Sequence, residues 1–125
     1  MKKILVTLAA LLAAAGMLSA QSMAEATETA KLANESLGAG NYETALAGFQ
    51  EALKMAEACG DEGAELVATC KDIIPKTVNA IAKQLLQENK LDEAIAKLGE
   101  TIAIANEYGD EETAGKAEAL IPQVY

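Results

Sequence analysis

The sequence predicts an all-α protein built from stacked antiparallel helix hairpins, preceded by a cleaved signal peptide. Three observations carry that expectation. Apolar residues recur at helical spacing through most of the chain beyond Ala20. The stretch Gly40–Leu53, "GNYETALAGFQEAL", is echoed by Asn89–Ile102, "NKLDEAIAKLGETI", with Asn89 standing 49 positions after Gly40. Each of those stretches follows a short break, "GAGN" at Gly38–Asn41 and "QENK" at Gln87–Lys90.

Met1–Ala20 stands apart from the rest. Lys2 and Lys3 precede an uncharged apolar run from Ile4 to Ala15, and Gly16–Ala20 supplies the small residues of a cleavage region. That order is the pattern of a secretory signal peptide, whose apolar part is short for a bilayer crossing. Cleavage is expected after Ala20, with a cut after Ala24 as the rival and an uncleaved membrane anchor as the other reading. No cysteine follows the run to carry a lipid. The helical domain is then expected over residues 24–125, in the periplasm of a bacterial envelope or, alternatively, secreted, without stable membrane insertion.

Charge narrows the partners. The chain of 125 residues has 10 basic residues, all lysine, against 19 acidic ones, a net charge of −9. Without Lys2 and Lys3, eight lysines face those 19 acids and the net charge falls to −11. Such a surface repels nucleic-acid phosphates and anionic lipid. Export permits a disulfide between Cys59 and Cys70. A helix hairpin turning near Gly60–Glu62 would, however, leave Cys70 about 10 Å further along its axis, beyond disulfide reach. The spacing therefore favours two buried thiols.

The first copy begins with a helix carrying Ala30, Leu32, Ala33 and Leu37. Its second helix carries Ala45, Leu46, Phe49, Ala52, Leu53 and Ala56, all on one stripe at 3.6 residues per turn. The second copy repeats the arrangement with Val78, Ile81, Ala82, Leu85 and Leu86, then Ala94, Ile95, Leu98, Ile102 and Ala105. Gly40 and Asn89 hold matching places in the breaks, and both residue types accept the left-handed conformation that ends a helix. Ala33, Ala45, Ala52, Ala82 and Ala94 are expected where helices cross closely, with Tyr42, Phe49, Leu91 and Leu98 filling the gaps beside them. One hairpin cannot bury its apolar face alone, so the copies stack.

Between the copies, Leu66, Val67, Cys70, Ile73 and Ile74 also fall at helical spacing. They read as a forward extension of the next helix, with Pro75 inside it and kinking its axis. A separate short helix ending at Ile74 is the alternative. At the other end "LIPQVY", Leu120–Tyr125, echoes "IIPKTV", Ile73–Val78. A third copy thus starts and stops, either as a cap or as a truncated piece of a longer array. The apolar character of the ending favours truncation.

The whole register resembles the tetratricopeptide repeat. Leu32-Ala33, Gly40-Asn41-Tyr42, Ala45, Phe49 and Ala52 match its pattern in a first repeat of about residues 26–59. Ile81-Ala82, Leu85, Asn89, Leu91, Ala94 and Leu98 match it more loosely over about 75–108, where Thr101 replaces the last alanine. Residues 110–125 would begin a third pair or form a cap. The 49-residue offset departs from the usual period of about 34 and resembles the family's long-repeat variants. The resemblance implies an α-solenoid fragment whose first helices line a concave, peptide-holding face.

No residue constellation points to catalysis. Histidine is absent, removing the commonest neutral general base and metal ligand. Two cysteines make no zinc site, and Ser19, Ser22 and Ser36 sit in no nucleophile motif. "GAGN" lacks the preceding strand of a phosphate loop. Asp61-Glu62, Asp92-Glu93 and Asp110-Glu111-Glu112 read as charges at helix starts, favoured by the dipole, rather than as calcium ligands. No cofactor and no metal are expected.

What remains is binding. On the second copy's first helix Lys76, Asn79, Lys83, Leu86 and Gln87 share a stripe, basic in an acidic chain. The corresponding positions of the first copy are Thr27, Ala30, Asn34 and Leu37. Asn34, Leu37, Lys76, Asn79, Lys83 and Leu86 are therefore the candidate partner-binding residues. Asn34 stands where the family often uses an asparagine, though its full lysine-asparagine-arginine set is not matched. The expected role is a non-catalytic scaffold for a protein or peptide bearing an acidic segment or a C-terminal carboxylate. A self-associating structural module is the alternative.

Overall fold

A computed structural model describes residues 23–124, and all of their regular structure is helical. The expected signal peptide, Met1–Ala20, lies outside the described residues. Residues 23–38 are helical and form α1. After the Gly38–Asn41 break come α2 (Tyr42–Ala58), a 3-10 turn (Gly60–Gly63), α3 (Ala64–Gln87), α4 (Leu91–Tyr108) and α5 (Glu111–Val124). Helix α3 packs against both α2 and α4, and α4 packs against α5.

Three turns share one geometry. Gly40, Asn89 and Gly109 sit at φ of +84°, +62° and +76°. After each, the next N–H reaches back five residues: Asn41 to the Ser36 carbonyl (2.8 Å), Lys90 to Leu85 (2.9 Å) and Asp110 to Ala105 (2.7 Å). That bond, from a left-handed residue's successor, satisfies carbonyls a helix end leaves open. The same three residues then accept the first bond of the following helix, from Ala45, Ala94 and Ala114. Asp110 alone adds its side chain: the Thr113 N–H donates to Oδ1 (3.1 Å) and the Thr113 hydroxyl to Oδ2 (2.6 Å). Those bonds, from the Thr113 side chain first and its backbone second, hold the Asp110 carboxyl below its ordinary pKa. The acidic pairs stand at element starts, Asp92 and Glu93 in the first turn of α4 and Glu111 and Glu112 in that of α5.

The larger core joins Ala33 of α1, Ala45, Leu46, Phe49, Ala52 and Leu53 of α2, and Cys70, Ile74, Val78 and Ile81 of α3. The smaller joins Ala82, Leu98 and Ala117, with Ile102, Leu120 and Ile121 packed against it. Helix α3 serves both. It runs unbroken through the buried Pro75, so the residues before the proline extend α3 and form no separate helix. All six residues expected on the α2 stripe are buried. Two glycines set spacing that the alanines alone do not explain. A Cβ at Gly48 would lie 2.8 Å from the Ala33 Cβ, and one at Gly63 would run into the Ala56 carbonyl oxygen.

Several side chains depart from expectation. Leu32 is 54% exposed and Leu91 40%, so neither fills a core gap. Cys70 is a free buried thiol whose pKa burial raises. Cys59, expected to be buried, is only half so, with its thiol donating to the Met55 carbonyl at 3.2 Å. Among the described residues no helix is long and apolar enough to cross a membrane.

Candidate groove on helix α3

Helix α3 has three working faces. One, through Ile74, Val78 and Ile81, meets α2; another, at Ala82, meets the core beneath α4 and α5. The third carries Lys76, Asn79, Ala80, Lys83, Gln84 and Gln87, at steps of three, one, three, one and three, which is one stripe of a helix. This stripe faces a groove of about 470 Å³, and Gly40 and Tyr42 of the α1–α2 turn line it as well. The positive φ of Gly40 places the turn there, which leads straight into α2 at Tyr42.

The structure thus brings together Lys76, Asn79 and Lys83. Asn34, Leu37 and Leu86 do not line the groove. Asn34 is exposed on α1, Leu37 is half-buried against the larger core, and Leu86 is half-buried near the end of α3. The first-copy positions do not extend the stripe: α1 meets α3 nearer the start of that helix, where Met23 and Thr27 share a separate cleft with Glu65, Leu66 and Thr69.

Charge in the groove is less lopsided than the stripe suggests. Lys76 makes an i,i+4 ion pair with Asp72 at 3.2 Å, with both side chains mostly exposed. Such a pair is worth well under 1 kcal/mol. A ligand carboxylate can therefore replace Asp72 without a large penalty. Lys83 is exposed and makes no ion pair among the described residues.

Asn79 is the unusual member. Among the described residues four buried polar side chains occur: Thr77, Asn79, Thr101 and Thr113. The Thr77 hydroxyl donates to the Ile73 carbonyl at 2.8 Å, Thr101 to the Lys97 carbonyl at 2.8 Å, and Thr113 to Asp110. Asn79 is 5% exposed and its Oδ1 has no hydrogen-bond partner in the protein. Buried polar atoms are nearly always paired, and leaving one unpaired costs about 1–3 kcal/mol. The threonines follow the rule and Asn79 breaks it where it meets the groove.

The stripe and its basic character are legible in the sequence. The opposite wall is not, since Tyr42 reads as a gap filler; the Asp72–Lys76 ion pair on α3 itself has a sequence signal in its i,i+4 spacing. No protein-family model, no curated protein and no solved structure matches the chain.

Proposed function

We propose that this protein is a non-catalytic scaffold that holds an extended segment of another protein in the groove between the α1–α2 turn and α3. The unpaired Asn79 Oδ1 carries the reading. Its desolvation cost is already met in the folded chain, so turning the amide toward the groove to accept a ligand N–H gains a hydrogen bond without burying a new acceptor. Lys76 and Lys83 on either side favour a carboxylate-bearing segment or a C-terminal carboxylate, through charge-assisted hydrogen bonds. Each exposed pair contributes at most about 1 kcal/mol, so the buried amide is the anchor. Incorporating a photocrosslinking residue at Gln87, inside the groove, should capture a discrete partner in the native envelope. The same residue at Glu51, exposed on α2, should not. Equal capture from both positions sinks the assignment.

The scaffold is proposed to be a stack of tetratricopeptide-like hairpins exported through Met1–Ala20. The shared geometry of the Gly40, Asn89 and Gly109 turns and the buried Ala45, Phe49 and Ala52 support the stack. Mass spectrometry of the exported chain should begin near Gln21 or Glu25; an intact Met1 on a membrane-extracted chain contradicts export.

A second reading, self-association, has one observation behind it. By the 49-residue offset Leu32 is the counterpart of Ile81, which is 2% exposed, yet Leu32 is 54% exposed. A second copy could cover it. Light scattering that stays monomeric over a wide concentration range removes this reading.

A further inference from the structure

The groove does not end at Gln84. Past Gly40, Tyr42 and Gln84 it continues into a second cleft of about 390 Å³, formed by the start of α2, the end of α3 and the start of α4. The two halves carry opposite charge. Lys76 and Lys83 line the first; Glu43, Glu88 and Glu93 line the second. Lys90 also lines the second cleft, but it lies 3.4 Å from Glu88 and is occupied by it. Glu43 and Glu93 are exposed and make no ion pair among the described residues.

Resting on the reading that this groove holds a peptide, we infer that the peptide is one whose charges are segregated. Acidic side chains lie at the Lys76–Lys83 end and basic ones at the Glu43–Glu93 end, with a main-chain N–H donated to Asn79 Oδ1 within the first of these. A uniformly acidic segment long enough to fill both clefts would bring its far carboxylates against Glu43 and Glu93. A uniformly basic one would meet Lys76 and Lys83. Only a bipolar segment finds opposite charge along the whole length. Asn79 supplies the independent sign that something binds here, because this groove-lining residue holds a buried, unpaired oxygen that a turn of its amide would present to a ligand. Length follows from helix geometry. Lys76 and Glu88 are about 18 Å apart along the α3 axis at 1.5 Å per residue. An extended chain at about 3.3 Å per residue covers that in five or six residues.

The test uses the full chain and four end-capped, dye-labelled peptides read by fluorescence anisotropy. One has aspartates, then alanines, then lysines in blocks; the second reverses the order; the third alternates the same residues; the fourth replaces its lysines with aspartates. One block peptide should bind about 3- to 10-fold tighter than the alternating isomer at low salt, and the advantage should shrink at high salt. Glu43→Gln with Glu93→Gln should erase that advantage and tighten the all-acidic peptide. If the alternating isomer equals both block peptides, or the all-acidic peptide binds best, charge segregation is refuted while the peptide groove stands. If none of the four binds, the inference and the groove reading fall together.

Discussion

Replacing Asn79 by leucine separates a functional asparagine from a structural one. In the folded chain the Asn79 side chain is 95% removed from solvent, being 5% exposed, with its oxygen unpaired. Leucine abolishes that unpaired acceptor, which costs about 1–3 kcal/mol, and adds a few tenths of a kcal/mol in helix propensity. Its two methyl groups replace the oxygen and nitrogen and are only modestly larger, and one can lean into the open groove, so overpacking offsets only part of the gain. A net stabilisation of about 1–2 kcal/mol is expected, and each kcal/mol raises the Tm of a domain this size by about 4–8 °C. The same variant should bind a groove peptide at least about tenfold more weakly, equivalent to about 1.4 kcal/mol. Thr77→Val is the control, because its hydroxyl is already bonded to the Ile73 carbonyl; it should leave Tm unchanged or lower. The assay is a far-UV circular dichroism melt beside peptide anisotropy. An Asn79→Leu protein that melts earlier than the native chain and still binds at native affinity would refute the reasoning.

Three further outcomes follow from the same geometry. Lys76→Glu with Lys83→Glu should abolish binding of an acidic partner while leaving the melt nearly unchanged, since both side chains are exposed; retained binding at normal affinity excludes the groove. Gly48→Ala and Gly99→Ala should move stability in opposite directions. The first drives a Cβ to 2.8 Å from the Ala33 Cβ, whereas nothing lies within 4 Å of a Cβ at Gly99, so melts should show a loss of about 1–3 kcal/mol against a gain of about 0.5–1 kcal/mol. For Asp110, whose folded pKa is lowered chiefly by Thr113, the contribution to stability is present above the unfolded carboxylate pKa and is lost as pH falls through the depressed value. Asp110→Asn keeps a capping side chain but cannot titrate there, so the native chain's advantage over it in Tm should shrink on acidification; parallel Tm curves contradict the cap.

Much of the helical framework was legible because period and turn chemistry are local. Ala45, Leu46, Phe49, Ala52, Leu53 and Ala56 are buried as their spacing requires, and Gly40 and Asn89 take the positive φ that their residue types permit. Leu32 and Leu91 were misread for a common reason: helical spacing says which face a residue shares, not whether a neighbouring helix covers that face. Leu32 would need a helix against the outside of α1. The groove was half legible. Lys76, Asn79 and Lys83 fall on one stripe in any α-helix, but the wall of Gly40 and Tyr42 depends on how the α1–α2 turn docks beside α3. The burial of Asn79 and the acidic half of the cleft are tertiary facts with no local signature.

Helix α3 explains why an unpaired amide can persist there. Its first half, with Cys70 and Ile74, is fixed in the larger core, and its second half is fixed by Val78 and Ile81 on one side and Ala82 on the other. Asn79 lies between the buried Val78 and the half-buried Ala80, on a backbone held by core packing, so only rotation about its own side-chain bonds can relieve the unpaired oxygen. The cost of the unpaired oxygen is therefore borne by core packing on two faces rather than relieved locally. A loop asparagine would rotate into water and lose its preorganisation. Held on this helix, the amide has its backbone position fixed in advance, so under the proposed reading only the side-chain turn remains to be ordered on binding. The 49-residue offset contributes to that fixed backbone, since Cys70 and Ile74, among the residues that lengthen α3 ahead of Pro75, lie in the larger core.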